Sequence, residues 1–145
     1  MLRLRGWLAG LWAGALLAIA LIAAPAAFAQ LERAQAGRVA GRLFETEAYL
    51  SLALTVVLVL LERRAPRRPG GSRFSVELGL ALGALACTVA GYFALQPMMA
   101  AARAGSGPWS FAALHTVASV FYAAKTMLVL VLAWRGAGVS PRPSS

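Results

Sequence analysis

A chain of 145 residues that is 60% hydrophobic and only 13% charged, with a mean hydropathy of +0.71, is too apolar for a soluble domain of this size and reads as an integral membrane protein. Its net charge of +9 comes from arginines that flank apolar runs instead of lining one helix face among aromatics, which argues against a nucleic-acid partner and for the lipid bilayer. The single cysteine, Cys87, lies inside an apolar run and excludes an intrachain disulfide.

Residues 7–28 form the first uncharged run, preceded by Arg3 and Arg5, and suit a spanning helix. The small residues Ala27, Phe28 and Ala29 before Gln30 also describe a cleavable signal peptide, although the apolar core is longer than the roughly 7 to 15 residues usual there. Both readings put the N-terminus inside and Gln30 outside. Gly6, Gly10, Gly14 and Ala18 recur every fourth residue and make a flat face for close packing. Pro25 is placed to kink or finish the helix.

Residues 31–50 carry mixed charge and predict a short amphipathic helix on the outer surface, with Arg38, Arg42, Glu45 and Tyr49 on one stripe. The second apolar run has only residues 48–61 free of charge, roughly 21 Å of helix against about 30 Å of hydrocarbon. Helix two therefore begins near residue 43 and runs to 61. The segment LERRAPRRPGGSRF, residues 61–74, joins five arginines to helix-breaking Pro66, Pro69, Gly70 and Gly71 and reads as a cytoplasmic loop.

Helix three is expected over residues 75–97, with Gly79, Gly83, Cys87 and Gly91 as a second small-residue stripe. Trp109 marks the interface before helix four, residues 111–134, and residues 136–145 form a Pro/Ser-containing cytoplasmic tail. Nine arginines fall inside on this topology (Arg3, Arg5, Arg63, Arg64, Arg67, Arg68, Arg73, Arg135, Arg142) against four outside (Arg33, Arg38, Arg42, Arg103), which places both termini in the cytoplasm of a multi-pass inner-membrane protein. The expected fold is a single all-α domain: a four-helix membrane bundle with the amphipathic outer helix between helices one and two. Gly10, Gly14, Gly79, Gly83 and Gly91 are its expected packing glycines.

Polar side chains in lipid turn toward the bundle interior, so their phase locates the buried face. Glu47, Ser51 and Thr55 align on helix two, Thr88, Tyr92 and Gln96 on helix three, and His115, Ser119, Tyr122 and Thr126 on helix four. These seams predict an outward-facing polar pocket of Glu47, Ser51, Tyr92, Gln96, His115, Ser119 and Tyr122. His115 fits either an interhelical hydrogen bond or a proton or metal role. Lys125, near mid-membrane, is expected to pair with Glu77. No metal-ligand set, cofactor motif, nucleophile elbow or phosphate-cradling loop is present, so a non-enzymatic protein is expected. The alternatives are a transport or binding module for a proton, a copper-like metal ion or a small solute, or an assembly partner of other membrane proteins or of a second copy.

GRVAGRLFETEAYL at 37–50, GYFALQPMM at 91–99 and the set Leu114, His115, Val117, Ser119, Phe121 and Tyr122 together resemble the bacterial branch of the transmembrane protein 205-like family, a four-helix domain of unknown function. Ala24, Pro25, Trp134 and Arg135 fit the same pattern, and the resemblance spans residues 7–135. It implies that helix one is retained, and it supplies no catalytic residue. A looser similarity to four-helix modules of copper-resistance membrane proteins is not matched by a rich Met/His set. Lys125 falls on no position of the family pattern.

Overall fold

The computed structural model describes residues 2–65 and 74–138. Helix α1 runs through Leu2–Ala18, a π-helical turn Ile19–Ala23, and Ala24–Gln30. Helix α2 is Arg33–Arg64. Helix α3 runs through Val76–Thr88, a second π turn Val89–Ala94, and Leu95–Arg103, and α4 is Phe111–Ala137. All four are long and apolar enough to cross a membrane, and the described residues contain no strand. The protein is a four-helix membrane bundle.

The helices are longer than their uncharged cores because charge at an interface does not end a helix. The mixed-charge segment is no separate amphipathic helix but the first half of α2, unbroken through residue 64. It is held by alanines: Ala36 and Ala40 on α2 and Ala24 and Ala27 on α1 are buried where these two segments pack. Pro25 and Pro97 end nothing. Each follows a π turn within three residues, and the wider turn accommodates a residue that lacks an N–H and would otherwise collide with the carbonyl four back. Ser75 and Ser110 cap α3 and α4 by accepting from the backbone N–H of Leu78 and Ala113 at 3.0 and 3.2 Å. Most of the basic segment 61–74 and, of the expected tail, residues 139–145 lie outside the described residues, while residues 136 and 137 continue α4.

Around the bundle the neighbours are α1 with α2, α2 with α3, α3 with α4 and α4 with α1, leaving α2 and α4 diagonal. The half nearer the chain termini holds the main apolar core, built on Trp12, Leu16, Leu58, Ala84, Val129 and Leu132. α1 and α4 touch there through backbone: a Cβ at Gly136 would stand 2.7 Å from the Gly6 Cα. Gly91 plays the same part between α3 and α4, where a Cβ would lie 2.5 Å from that of Phe121, and Gly83 meets Leu128 at 3.1 Å. The other expected packing glycines differ. A Cβ at Gly10, Gly14 or Gly79 would meet nothing within 4 Å, because these positions face away from the neighbouring helices.

Two ion pairs close the terminal end, Arg5 with Glu62 and Arg135 with Glu77. Trp7 and Trp134 are exposed at that end and Trp109 at the other, the levels at which amphipathic rings sit against headgroups. In the distal half the helices separate into two pairs. Beyond its π turn α1 packs on α2, while α3 and α4 hold each other through Leu95, Met99 and Leu114.

Candidate functional site

At mid-bundle, on the diagonal between α2 and α4, lies a buried charge cluster. The Lys125 ammonium donates to both Glu47 carboxylate oxygens at 2.8 Å, and each side chain is only 3% exposed. Ser51, one turn below Glu47, donates its hydroxyl to Oε1 and in turn accepts from the Trp12 Nε1–H at 2.9 Å. Lys125 Nζ lies 3.5 Å from Ser51 Oγ and 5.0 Å from the centre of the Tyr122 ring. A carboxylate and an ammonium in hydrocarbon are tolerable only when paired and surrounded by donors and acceptors. That condition is met: among the described residues no buried side-chain nitrogen or oxygen lacks a partner.

Tyr122 roofs the cluster on its distal side. Its hydroxyl donates to the Leu16 carbonyl at 2.8 Å, in the turn just before the first π turn, and its ring meets Phe44 edge-on with centroids 5.3 Å apart. Trp12 and Tyr122 thus tie α1 to the diagonal. Thr55 and Thr88, both buried, return their hydroxyls to carbonyls one turn back on their own helices, at 2.7 and 2.9 Å, and so need nothing across the bundle.

Lys125 does not reach Glu77. Helical side chains lean toward their own N-terminus, and α4 begins at the distal end, so the lysine stem points away from the end where Glu77 lies. Arg135, about 15 Å further along α4, is level with Glu77 and holds it at 2.8 Å.

The seven residues expected to share one pocket occupy three places. Glu47 and Ser51 are in the cluster and Tyr122 covers it. Tyr92 and Gln96 are half-buried on α3, Tyr92 packed edge-on against Phe93, which also meets Tyr49. His115 and Ser119 are exposed. His115 stacks on Phe111 at 5.9 Å, the Arg103 guanidinium lies 4.6 Å from the centre of the Phe111 ring, and Ser119 donates to the His115 carbonyl at 2.8 Å.

His115, Tyr122 and Val129 follow each other at seven-residue spacing on one face of α4, and along that line burial is complete at Val129, partial at Tyr122 and lost at His115. Gly37, two turns distal of Phe44 on α2, likewise has open space beside it. The bundle therefore opens above the Tyr122–Phe44 contact. Two cavities also lie distally, of about 340 Å³ over Arg38, Val39, Arg42, Leu43 and Thr46, and of about 160 Å³ over Met98, Ala101, Gly107, Pro108, Trp109 and Leu114. The described residues contain no group of three His, Cys, Asp or Glu suited to a metal ion.

The profile of a domain of unknown function (DUF4149) matches residues 7–108. The chain belongs to that family. No curated protein and no solved structure matches it. The DUF4149 span includes Trp12, Glu47 and Ser51 and stops before α4, so the matched region carries the carboxylate and α4 the ammonium. Sequence reasoning on this DUF4149 chain placed Glu47 and Ser51 on the inward face, gave Lys125 an ion pair with Glu77 instead of Glu47, and left out Trp12. The signal for Lys125 was its position three residues after Tyr122, on the same inward face.

Proposed function

We propose that this DUF4149 protein is a non-enzymatic, multi-pass protein of the bacterial inner membrane with both termini in the cytoplasm, whose polar core holds four helices in one register while its surface meets another membrane protein or a second copy. The saturated cluster carries this reading: among the described residues every buried side-chain nitrogen and oxygen has a partner, as a core built to hold helices together requires. The arginine bias of the loops supports the orientation, and the motifs at 37–50, 91–99 and 114–122 support kinship with the bacterial branch of the transmembrane protein 205-like family. The test is a melting comparison in detergent. A structural cluster makes Glu47→Gln and Lys125→Met unstable with or without added solutes, whereas a solute-dependent rise in melting temperature of the parent that both variants lose overturns it.

A second reading, a transport or binding module for a proton, a copper-like metal ion or a small solute, draws on the distal opening at His115 and Ser119 above Tyr122. For this reading His115→Ala keeps the fold and abolishes a copper- or zinc-dependent melting shift. No shift in the parent protein removes the metal version.

A further inference from the structure

Among the described residues the terminal end of the bundle is charged unevenly. α1 and α2 bring Arg3, Arg5, Arg63 and Arg64 to it against the single acid Glu62, whereas α3 and α4 bring Arg135 against Glu77, and these two neutralise each other at 2.8 Å. Glu62 is already engaged, by Arg5 and by the Ser75 hydroxyl at 2.8 Å. Arg3, Arg63 and Arg64 are exposed, and no ion pair among the described residues takes them up.

These cations share a level. α1 and α2 run antiparallel with Arg5 against Glu62, so two residues further toward the end on each helix brings Arg3 abreast of Arg64. Directly beneath, toward the hydrocarbon, Leu4 and Trp7 on α1 and Leu60 on α2 are exposed.

We propose that the α1–α2 corner at this end binds the headgroup phosphate of an anionic phospholipid, with the guanidinium forks of Arg3, Arg63 and Arg64 on the phosphate oxygens and the acyl chains against Leu4, Trp7 and Leu60. Guanidinium matches phosphate geometry with paired N–H donors, and juxtamembrane clusters of arginine beside apolar surface suit lipid headgroups over soluble anions. An orientation signal needs only a sufficient number of arginines at one end; it does not require that, among the described residues, those of α1 and α2 stand unpaired while that of α4 is neutralised by Glu77.

The experiment uses the full chain in neutral detergent, with native mass spectrometry and melting curves after adding phosphatidylglycerol, cardiolipin, phosphatidylcholine or inorganic phosphate. The expected result is retention of the two anionic lipids with a raised melting temperature, and neither for phosphatidylcholine. Arg63→Gln with Arg64→Gln weakens retention about thirtyfold, while Arg33→Gln with Arg38→Gln, the same charge change at the distal end, leaves it unaltered. Arg3→Gln alone, tested should the double variant not fold, weakens retention severalfold. Equal loss from the distal variant, equal retention of phosphatidylcholine, or full competition by millimolar inorganic phosphate overturns the proposal, the last by showing a site for free anion instead of lipid.

Discussion

Removing either member of the Lys125–Glu47 pair should cost far more than removing both. The ammonium holds both carboxylate oxygens at 2.8 Å with each side chain 3% exposed, so Lys125→Met leaves a carboxylate in hydrocarbon with only the Ser51 hydroxyl on it. Breaking a buried pair from one side costs about 3–5 kcal/mol, whereas replacing both charges by apolar residues of similar volume is often neutral or stabilising. An ordinary interhelical hydrogen bond in a membrane averages about 0.6 kcal/mol and reaches about 1.7, so the two explanations differ by a measurable margin. The assay is SDS-induced unfolding followed by tryptophan fluorescence, with Trp12, fully buried against Ser51, as the reporting ring. Expected are losses of about 3–5 kcal/mol for Lys125→Met and for Glu47→Leu and a return to within about 1 kcal/mol of the parent for the double variant. In the double variant Ser51 turns its hydroxyl to a carbonyl one turn back, as Thr55 already does. Single losses below about 1.7 kcal/mol, or a double variant as unstable as the sum of the singles, would refute the reasoning.

Three further outcomes are expected in the same assay. Gly91→Ala, whose Cβ would stand 2.5 Å from that of Phe121, and Gly136→Ala, 2.7 Å from the Gly6 Cα, should each lose about 1–3 kcal/mol by overpacking, while Gly10→Ala and Gly14→Ala should not destabilise, since nothing stands within 4 Å. Tyr122→Phe removes the 2.8 Å bond to the Leu16 carbonyl but keeps the ring contact with Phe44, so a loss of about 0.6–1.7 kcal/mol is expected. His115→Ala should change the stability by no more than about 0.5 kcal/mol, as its ring is exposed and stacks on Phe111 at the surface. A loss comparable to that of Lys125→Met would instead make His115 part of the core.

Four spans and their order were legible because lipid imposes a simple rule: long uncharged runs cross, and arginines stay at the ends. Helix phase on α2 was equally readable, since Glu47, Ser51 and Thr55 are all buried on one face. What periodicity could not supply is how tightly a face is covered at each depth. His115 and Tyr122 share a face, yet only Tyr122 is covered, because α1 leaves α4 beyond its π turn. The π turns themselves leave little trace beyond the prolines that follow them. The glycine stripe of α1 shows the same limit: Gly6 is pressed against Gly136 while Gly10 and Gly14 stand open, because the buried line of α1 runs on through Ala9, Ala13 and Leu16 at alternating steps of three and four and leaves the strict fourth-residue row.

The charge pair also has a direction that a simple exchange of its members tests. α2 and α4 both run from the distal to the terminal end, and the Arg5–Glu62 and Arg135–Glu77 pairs mark that end on each. From those marks Glu47 lies about 22 Å up α2 and Lys125 about 15 Å up α4, so the two backbones are offset by about 7 Å. The lysine closes this gap because its long stem starts from the lower position and leans distally, toward the N-terminus of its helix. In Glu47→Lys with Lys125→Glu, the long side chain starts from the higher position and leans further away, while the short carboxylate cannot climb to meet it. Coulombic attraction between opposite charges on facing helices would be served equally well by either arrangement. Geometry predicts that the exchanged protein stays about 3–5 kcal/mol below the parent, close to the single variants, in the SDS assay. Recovery of parental stability would show that the cluster is loose enough to ignore helix direction, and the tight, one-way fit inferred for this core would fall with it.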